Sequence, residues 1–172
     1  MTDASKPGRI LEVKTADRIP AISEFPLSTE VEVRFVDVDA MGHVNNARYA
    51  TFFEEARVAY FRKTVSEEFS DRELEKTFPF VLLDLYCRYL SPVRMGERLQ
   101  VSIRLSRMGG KSFDFEYLIT SRTDGRAVAT GRTTQVYFNC ARNQTEPVPD
   151  GLREAFARIE GGAVPSARSK SG

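Results

Sequence analysis

The sequence predicts an α+β domain in which a five-stranded antiparallel sheet wraps around one long central helix. Three observations predict it. A stretch of alternating apolar and polar residues precedes a single long segment whose apolar residues recur three and four apart. Four further apolar or alternating stretches follow. Gly109-Gly110 and Asp124-Gly125, between successive stretches, have the composition of tight hairpin turns. A sheet with one apolar face and a helix with one apolar stripe bury both surfaces by packing against each other.

The elements follow in order. Residues 1–27 are polar, carry Pro7, Gly8, Pro20 and Pro26, and read as an extended or disordered arm. Residues 28–38, STEVEVRFVDV, have period two, with Val31, Val33, Phe35 and Asp37 on one face, and predict a strand. After the turn-like stretch 39–46 the period changes. Tyr49, Phe52, Phe53, Ala56, Tyr60 and Lys63 fall on one helical stripe, with Asn45 or Asn46 suited to cap the helix start. Residues 66–77 are charged and predict a surface helix or loop. Strands are expected over 78–92, 96–108, 111–120 and 126–140, and a short helix over 150–160. The domain is expected to span 28–160, with 161–172 as a disordered tail.

Composition narrows the function. The 172 residues suit one domain with a real core and are few for two. Lysine and arginine total 25 against 24 acids, a net charge of +1, which gives no support to a nucleic-acid binder or a polybasic membrane protein. No apolar run approaches the ~20 residues of a membrane span, and the first residues lack the apolar core of a secretory signal. Cys87 and Cys140 form no C-x-x-C and read as free thiols, so the expected compartment is the cytoplasm.

Few residues could do chemistry. His43 is the one histidine, which excludes a multi-histidine metal site, and no metal or cofactor is expected. There is no G-x-S-x-G. Gly110-Lys111-Ser112 lacks the earlier glycine of a phosphate loop, because Leu105 holds that place. What remains is Asp39-x-x-Gly42-His43-Val44-Asn45-Asn46, between a strand end and a helix start. The first backbone N–H groups of a helix have no intrahelical partner and carry the positive end of its dipole. A thioester carbonyl placed there would find donors for the oxyanion formed on attack. An aspartate a few residues upstream can attack the carbonyl or take a proton from water. Gly42 lets the backbone turn sharply and a ligand approach. The plainer reading is that Asp39, Asn45 and Asn46 are caps and that His43 is a hydrogen-bonded core histidine.

The stretch VDVDAMGHVNNARYATFFEEAR resembles the signature of the 4-hydroxybenzoyl-CoA thioesterase-like branch of the hotdog superfamily. Within it, D-x-x-x-H-V-N-N-x-x-Y is similar to the bacterial long-chain acyl-CoA thioesterases and, more distantly, the plant acyl-ACP thioesterases. The resemblance implies a hotdog fold and acyl-CoA hydrolysis, with Asp39 as catalytic carboxylate and the backbone amide of Asn46 polarising the carbonyl. His43 is implied as a polarising or orienting group, and Asn45 and Gly42 as substrate-binding residues. The plant enzymes also use an asparagine two residues before the histidine; Met41 stands there in this chain. The family implies a homodimer or homotetramer with active sites at the subunit interface. Arg88, Arg94, Arg98, Arg107 and Lys111 are candidates for the CoA phosphates, and Phe80, Leu83, Tyr86 and Phe53 for the acyl channel. Three other readings stay open: a hotdog dehydratase or hydratase acting on the carbons next to the thioester, a hotdog protein that binds acyl-CoA without turnover, and an acyl-ACP thioesterase.

Overall fold

The computed structural model of the chain describes residues 18–64, 80–139 and 142–162. The expected surface segment 66–77, most of the N-terminal arm, Cys140 and nearly all of the expected tail lie outside these residues. The elements are β1 (Leu27–Glu32), α1 (Arg48–Thr64), β2 (Phe80–Tyr89), β3 (Arg98–Met108), β4 (Ser112–Ser121), β5 (Ala127–Asn139), the two-residue β6 (Gln144–Thr145) and α2 (Asp150–Ile159). The main strands run in the order β1-β3-β4-β5-β2, every pair antiparallel, and β6 pairs with the end of β5. This is the predicted α+β architecture, with β1 and β2 as the sheet's two edges.

Apolar periodicity explains why α1 lies where it does. Tyr49, Phe52, Phe53, Ala56 and Tyr60 are buried as predicted, Phe61 joins them, and Lys63 is exposed. They meet the inner face of the sheet at Leu99, Val101, Ile103, Phe113, Phe115, Tyr117 and Ala129. The rings interlock: Phe53 stacks on Tyr117 at 4.4 Å and Phe61 on Phe80 at 4.5 Å, while Tyr60 meets Phe115 edge-on at 4.8 Å. Phe53 comes so close to the sheet because Gly131 lies beneath it; a Cβ there would stand 2.5 Å from the ring's Cε2. The C-terminal helix closes the far end. Its Phe156 is fully buried, and Glu160 just beyond it accepts from the Tyr60 hydroxyl at 2.6 Å and from the Leu105 N–H at 2.8 Å. The Leu105 donor lies past the end of β1, so the carboxylate occupies a place on β3 that the edge strand does not reach.

One expectation fails locally. The strand predicted over 28–38 ends at Glu32, and Phe35–Asp37 form a single 3-10 turn. Val31, Val33 and Asp37 are buried as the alternation requires, but Phe35 is 81% exposed. The cause is Asp37, whose carboxylate accepts from the Arg34 N–H at 2.9 Å and so closes the chain into a turn. Beyond that point the period-two pattern no longer describes the backbone.

Candidate active site

The turn between β1 and α1 is built around the buried Asp37. Its carboxylate receives Arg34 Nε at 3.1 Å and pairs with Arg48 Nε at 3.3 Å, while its carbonyl accepts from the Asn45 N–H at 2.9 Å. Arg48 also donates to the Val36 carbonyl at 2.9 Å. The hydrogen bond from the Arg34 side chain is the main cause holding the Asp37 carboxyl below its ordinary range, with the Arg34 N–H and the charges of Arg34 and Arg48 adding to it. One carboxylate thus ties both legs of the loop to the first residue of the helix. In the sequence Asp37 stood only as a residue on a strand face, although two arginines within eleven residues of it were visible there.

Inside that clamp the loop doubles back. Val38 and Val44 form an antiparallel bridge, the Asp39 N–H donates to the His43 carbonyl and the Gly42 N–H to the Asp39 carbonyl, both at 2.9 Å. Gly42 has φ of +75°, a conformation that a side chain would strain. Val44 is anchored on the Val93 carbonyl at 2.9 Å, which brings the segment after β2 alongside the turn.

Each predicted site residue can now be placed. Asp39, His43, Asn45 and Asn46 come together; with Met41, Val44 and Tyr49 they form one wall of a cleft of about 490 Å³, and Tyr89–Pro92 form the other. Gly42 is not among the lining residues and shapes the turn. Asp39 is exposed, and its Oδ1 accepts from the Met41 N–H at 2.8 Å, the local capping anticipated as the plainer reading. That bond occupies one of its two carboxylate oxygens. Of the two asparagines it is Asn45 that caps: its Oδ1 accepts from the Ala47 N–H at 2.9 Å and its carbonyl from the Arg48 N–H at 2.9 Å. Between these satisfied groups the Asn46 N–H has no acceptor among the described residues. Its own carbonyl takes a bond from the Tyr89 hydroxyl at 3.1 Å, which fixes the peptide against β2. Tyr89 in turn meets Tyr49 edge-on at 4.9 Å, and burial pushes the Tyr49 hydroxyl up to about 12, so it stays protonated at neutral pH.

The other candidates separate. Phe53 and Phe80 are core rings packed on the sheet, Leu83 sits at the β-bulge of β2, and Tyr86 faces away from the helix. Tyr86, Arg88, Arg104, Glu116 and Arg132 line a larger cavity of about 640 Å³ on the outer face of the sheet. There Arg104 is neutralised by Glu24 at 2.9 Å and Glu116 at 2.6 Å, and the lining includes none of the residues of the 39–46 turn. Arg107 is held by Asp114 and Arg98 lies near Glu30, so neither is a free cation. Among the described residues no group of histidine, cysteine and acid side chains could hold a metal ion.

A strand-flanked helix with a free amide at its entrance and a carboxylate beside it calls for comparison with known proteins. A family described as the thioesterase-like superfamily matches residues 33–156. The chain belongs to the thioesterase-like superfamily. Among its relatives, the acyl-CoA thioesterase YbgC of Haemophilus influenzae is 33% identical over 135 residues, which are 77% of this chain and 96% of that one. The long-chain acyl-CoA thioesterase FadM of Escherichia coli is 28% identical over 133 residues, 77% of this chain and 98% of that one. A thioesterase of Thermus thermophilus, solved with coenzyme A and Zn, superposes with a TM-score of 0.70 at 32% identity, covering 80% of this chain and 96% of that one. The hotdog fold and the thioester-hydrolase class expected from the sequence are borne out.

Proposed function

We propose that this thioesterase acts on acyl-CoA in the cleft between the Asp39–Asn46 turn and the end of β2, with Asp39 as the base and the Asn46 N–H as the oxyanion donor. The observation that carries this reading is the pairing, in one cleft, of a backbone donor and a carboxylate oxygen that both lack a partner among the described residues. The thioester carbonyl oxygen accepts from the Asn46 N–H. Asp39 takes a proton from water as the water oxygen bonds to the carbonyl carbon, and the carbonyl π pair moves onto the oxygen. A single such donor is typically worth about 2.7–4 kcal/mol at this stage. Collapse of the tetrahedral species breaks the C–S bond and releases CoA and the free acid, with the proton returning from Asp39 to the thiolate. His43, on the same wall, orients water or the carbonyl. Met41 stands where a plant-type mechanism would require an asparagine, and its thioether offers only a weak acceptor.

The sheet edge supports assembly into a homo-oligomer. β2 runs ten residues as an edge strand, and Val81, Leu82, Leu83, Tyr86 and Tyr89 along it are exposed. Unpaired edges of that length and apolarity invite a further strand. A homodimer pairing β2 with β2 would extend the sheet and bring the partner strand beside Tyr89 at the cleft; light scattering on the purified protein distinguishes dimer from tetramer. The free thiol of Cys87 suits a reducing compartment such as the cytoplasm, and among the described residues no helix is long and apolar enough to cross a membrane.

The test is thiol release from acyl-CoAs of graded length, acetyl to palmitoyl and benzoyl, by the wild type and Asp39→Asn. Turnover that disappears in the variant supports the reading. Tight acyl-CoA binding without turnover would make the protein a binder, and activity confined to acyl carrier protein esters would move the carrier assignment.

A further inference from the structure

Arg57 lies on α1 eight residues beyond Tyr49, roughly 12 Å along the helix from the cleft. It is half-buried, yet among the described residues it has no carboxylate partner. Its one hydrogen bond is long: Nη1 donates to the Tyr117 hydroxyl at 3.5 Å. Of the other half-buried arginines, Arg48, Arg104, Arg107 and Arg126 each hold an acid at 3.3 Å or less and Arg153 is held by backbone carbonyls, while Arg88, like Arg57, has no acid partner among the described residues. A half-buried guanidinium without a counter-charge is costly unless something supplies one.

The groups behind Arg57 are also incomplete. Tyr117, Thr133 and Gln135 are buried in a polar line against the aromatic core. The Tyr117 and Thr133 hydroxyls share a bond of 2.8 Å, and Gln135 Nε2 donates to Thr133 Oγ1 at 2.7 Å. Gln135 Oε1 has no partner among the described residues, and turning the amide over would leave its NH₂ end unpaired instead. With Arg57 donating to Tyr117, the two hydroxyls have two hydrogens and only one bond between them. With the amide as placed, one hydrogen is left over; with the amide turned, Gln135 Oε1 takes it and the NH₂ end is the unpaired group.

The sheet register gives the spacing between this line and the cleft. Tyr89 is opposite Ala129, and four residues along, about 13 Å at strand spacing, Leu85 is opposite Thr133; Leu82 is opposite Gln135. Leu85 opposite Thr133, Leu82 opposite Gln135 and Val58 next to Arg57 are 37%, 49% and 39% exposed, so exposed apolar side chains accompany the polar line at the far end of this span. Helix rise and strand rise give the same distance.

We propose that Arg57 binds an anionic far end of the acyl group, so that the preferred substrates are acyl-CoA thioesters bearing a second carboxylate at the tail. The proposal rests on the hydrolase reading above and deepens it. A guanidinium fork meets a carboxylate with two parallel bonds. The Tyr117–Thr133–Gln135 line holds the guanidinium from behind and serves as a positioning group.

The experiment compares kcat/KM on matched pairs, suberoyl-CoA against octanoyl-CoA and sebacoyl-CoA against decanoyl-CoA. The wild type is expected to favour the carboxylate tail by about tenfold or more. In Arg57→Met that ratio falls at least about tenfold, through KM, and in Gln135→Leu it falls by less in the same direction. Because the wild-type ratio needs no variant, a poorly folded mutant leaves the proposal falsifiable. Octanoyl-CoA turnover without preference for suberoyl-CoA overturns the tail assignment alone. A ratio unchanged in Arg57→Met also overturns it and gives Arg57 a structural role, such as an ion pair with the partner subunit. No turnover of any acyl-CoA would defeat the hydrolase reading first.

Discussion

Replacing Gly131 with alanine adds one methyl group at the tightest contact between sheet and helix. The new Cβ would stand 2.5 Å from Phe53 Cε2, whereas carbon atoms rest at about 3.5–4.0 Å. Phe53 cannot swing aside, since it is fully buried and stacked on Tyr117 at 4.4 Å. The helix must therefore lift from the sheet by about an ångström, or the ring must leave its rotamer. Overpacking of this kind costs about 1–3 kcal/mol. Restricting the unfolded chain by losing a glycine offsets about 0.4–1 kcal/mol of that. A net loss of about 1–2 kcal/mol corresponds to a fall of roughly 2–8 °C in Tm for a chain of this length. The same lift displaces Tyr49 against Tyr89 and with them the Asn46 peptide, so kcat should fall more than stability alone explains. Calorimetry and acyl-CoA turnover on Gly131→Ala, Phe53→Leu and the double variant provide the assay. Phe53→Leu opens the space that the added methyl group needs, so the double variant should recover part of the loss and show a favourable coupling energy. A Gly131→Ala protein as stable as the wild type, or additive losses in the double variant, would refute the argument that this contact sets the helix height.

Other expected outcomes concern the site and its supports. Asp39→Asn should lower kcat by about 10²–10⁴ while leaving stability within about 0.5 kcal/mol, because an asparagine Oδ1 still accepts from the Met41 N–H; parallel turnover and thermal-melt measurements check both halves. Asp37 has a carboxyl held below its ordinary range, so it contributes stability above the usual carboxylate pKa that is lost as pH falls through the depressed folded value. Urea midpoints measured from pH 7 downwards should therefore decline less steeply in Asp37→Asn, and an identical acid limb would contradict the clamp. Tyr60→Phe should cost about 1–2 kcal/mol by leaving Glu160 with only the Leu105 N–H, and should speed amide exchange in α2; equal exchange rates would show that the hydrogen bond does not dock that helix.

Periodicity made most of the fold legible. The aromatic stripe of α1 specified most of its buried face, missing Phe61 and including the exposed Lys63, and the alternation of β3 to β5 marked them as strands, because both patterns record which side of an element leaves water. The pattern misled at Phe35, where a short-range hydrogen bond from the Arg34 N–H to Asp37 outweighed an apolar residue's preference for burial. The site was legible to a different degree. Asp39, His43, Asn45 and Asn46 could be singled out because chemistry-bearing side chains were concentrated in one turn. Which asparagine caps and which presents a free amide depended on backbone bonds of a single loop, and side-chain type carries no record of them. The second wall, Tyr89–Pro92, comes from more than forty residues downstream and is brought there by the Val44–Val93 bond. Arg57 marks the limit of a one-sequence reading most clearly. On a helical wheel it is one more polar residue beside an aromatic stripe. Its meaning arises only when β4 and β5 place Tyr117, Thr133 and Gln135 beneath it, with no acid among the described residues within ion-pair distance. The counter-charge proposed for Arg57 comes from outside the described residues. The choice between a substrate's tail and a second subunit as its source is one that the tail-preference ratio decides directly.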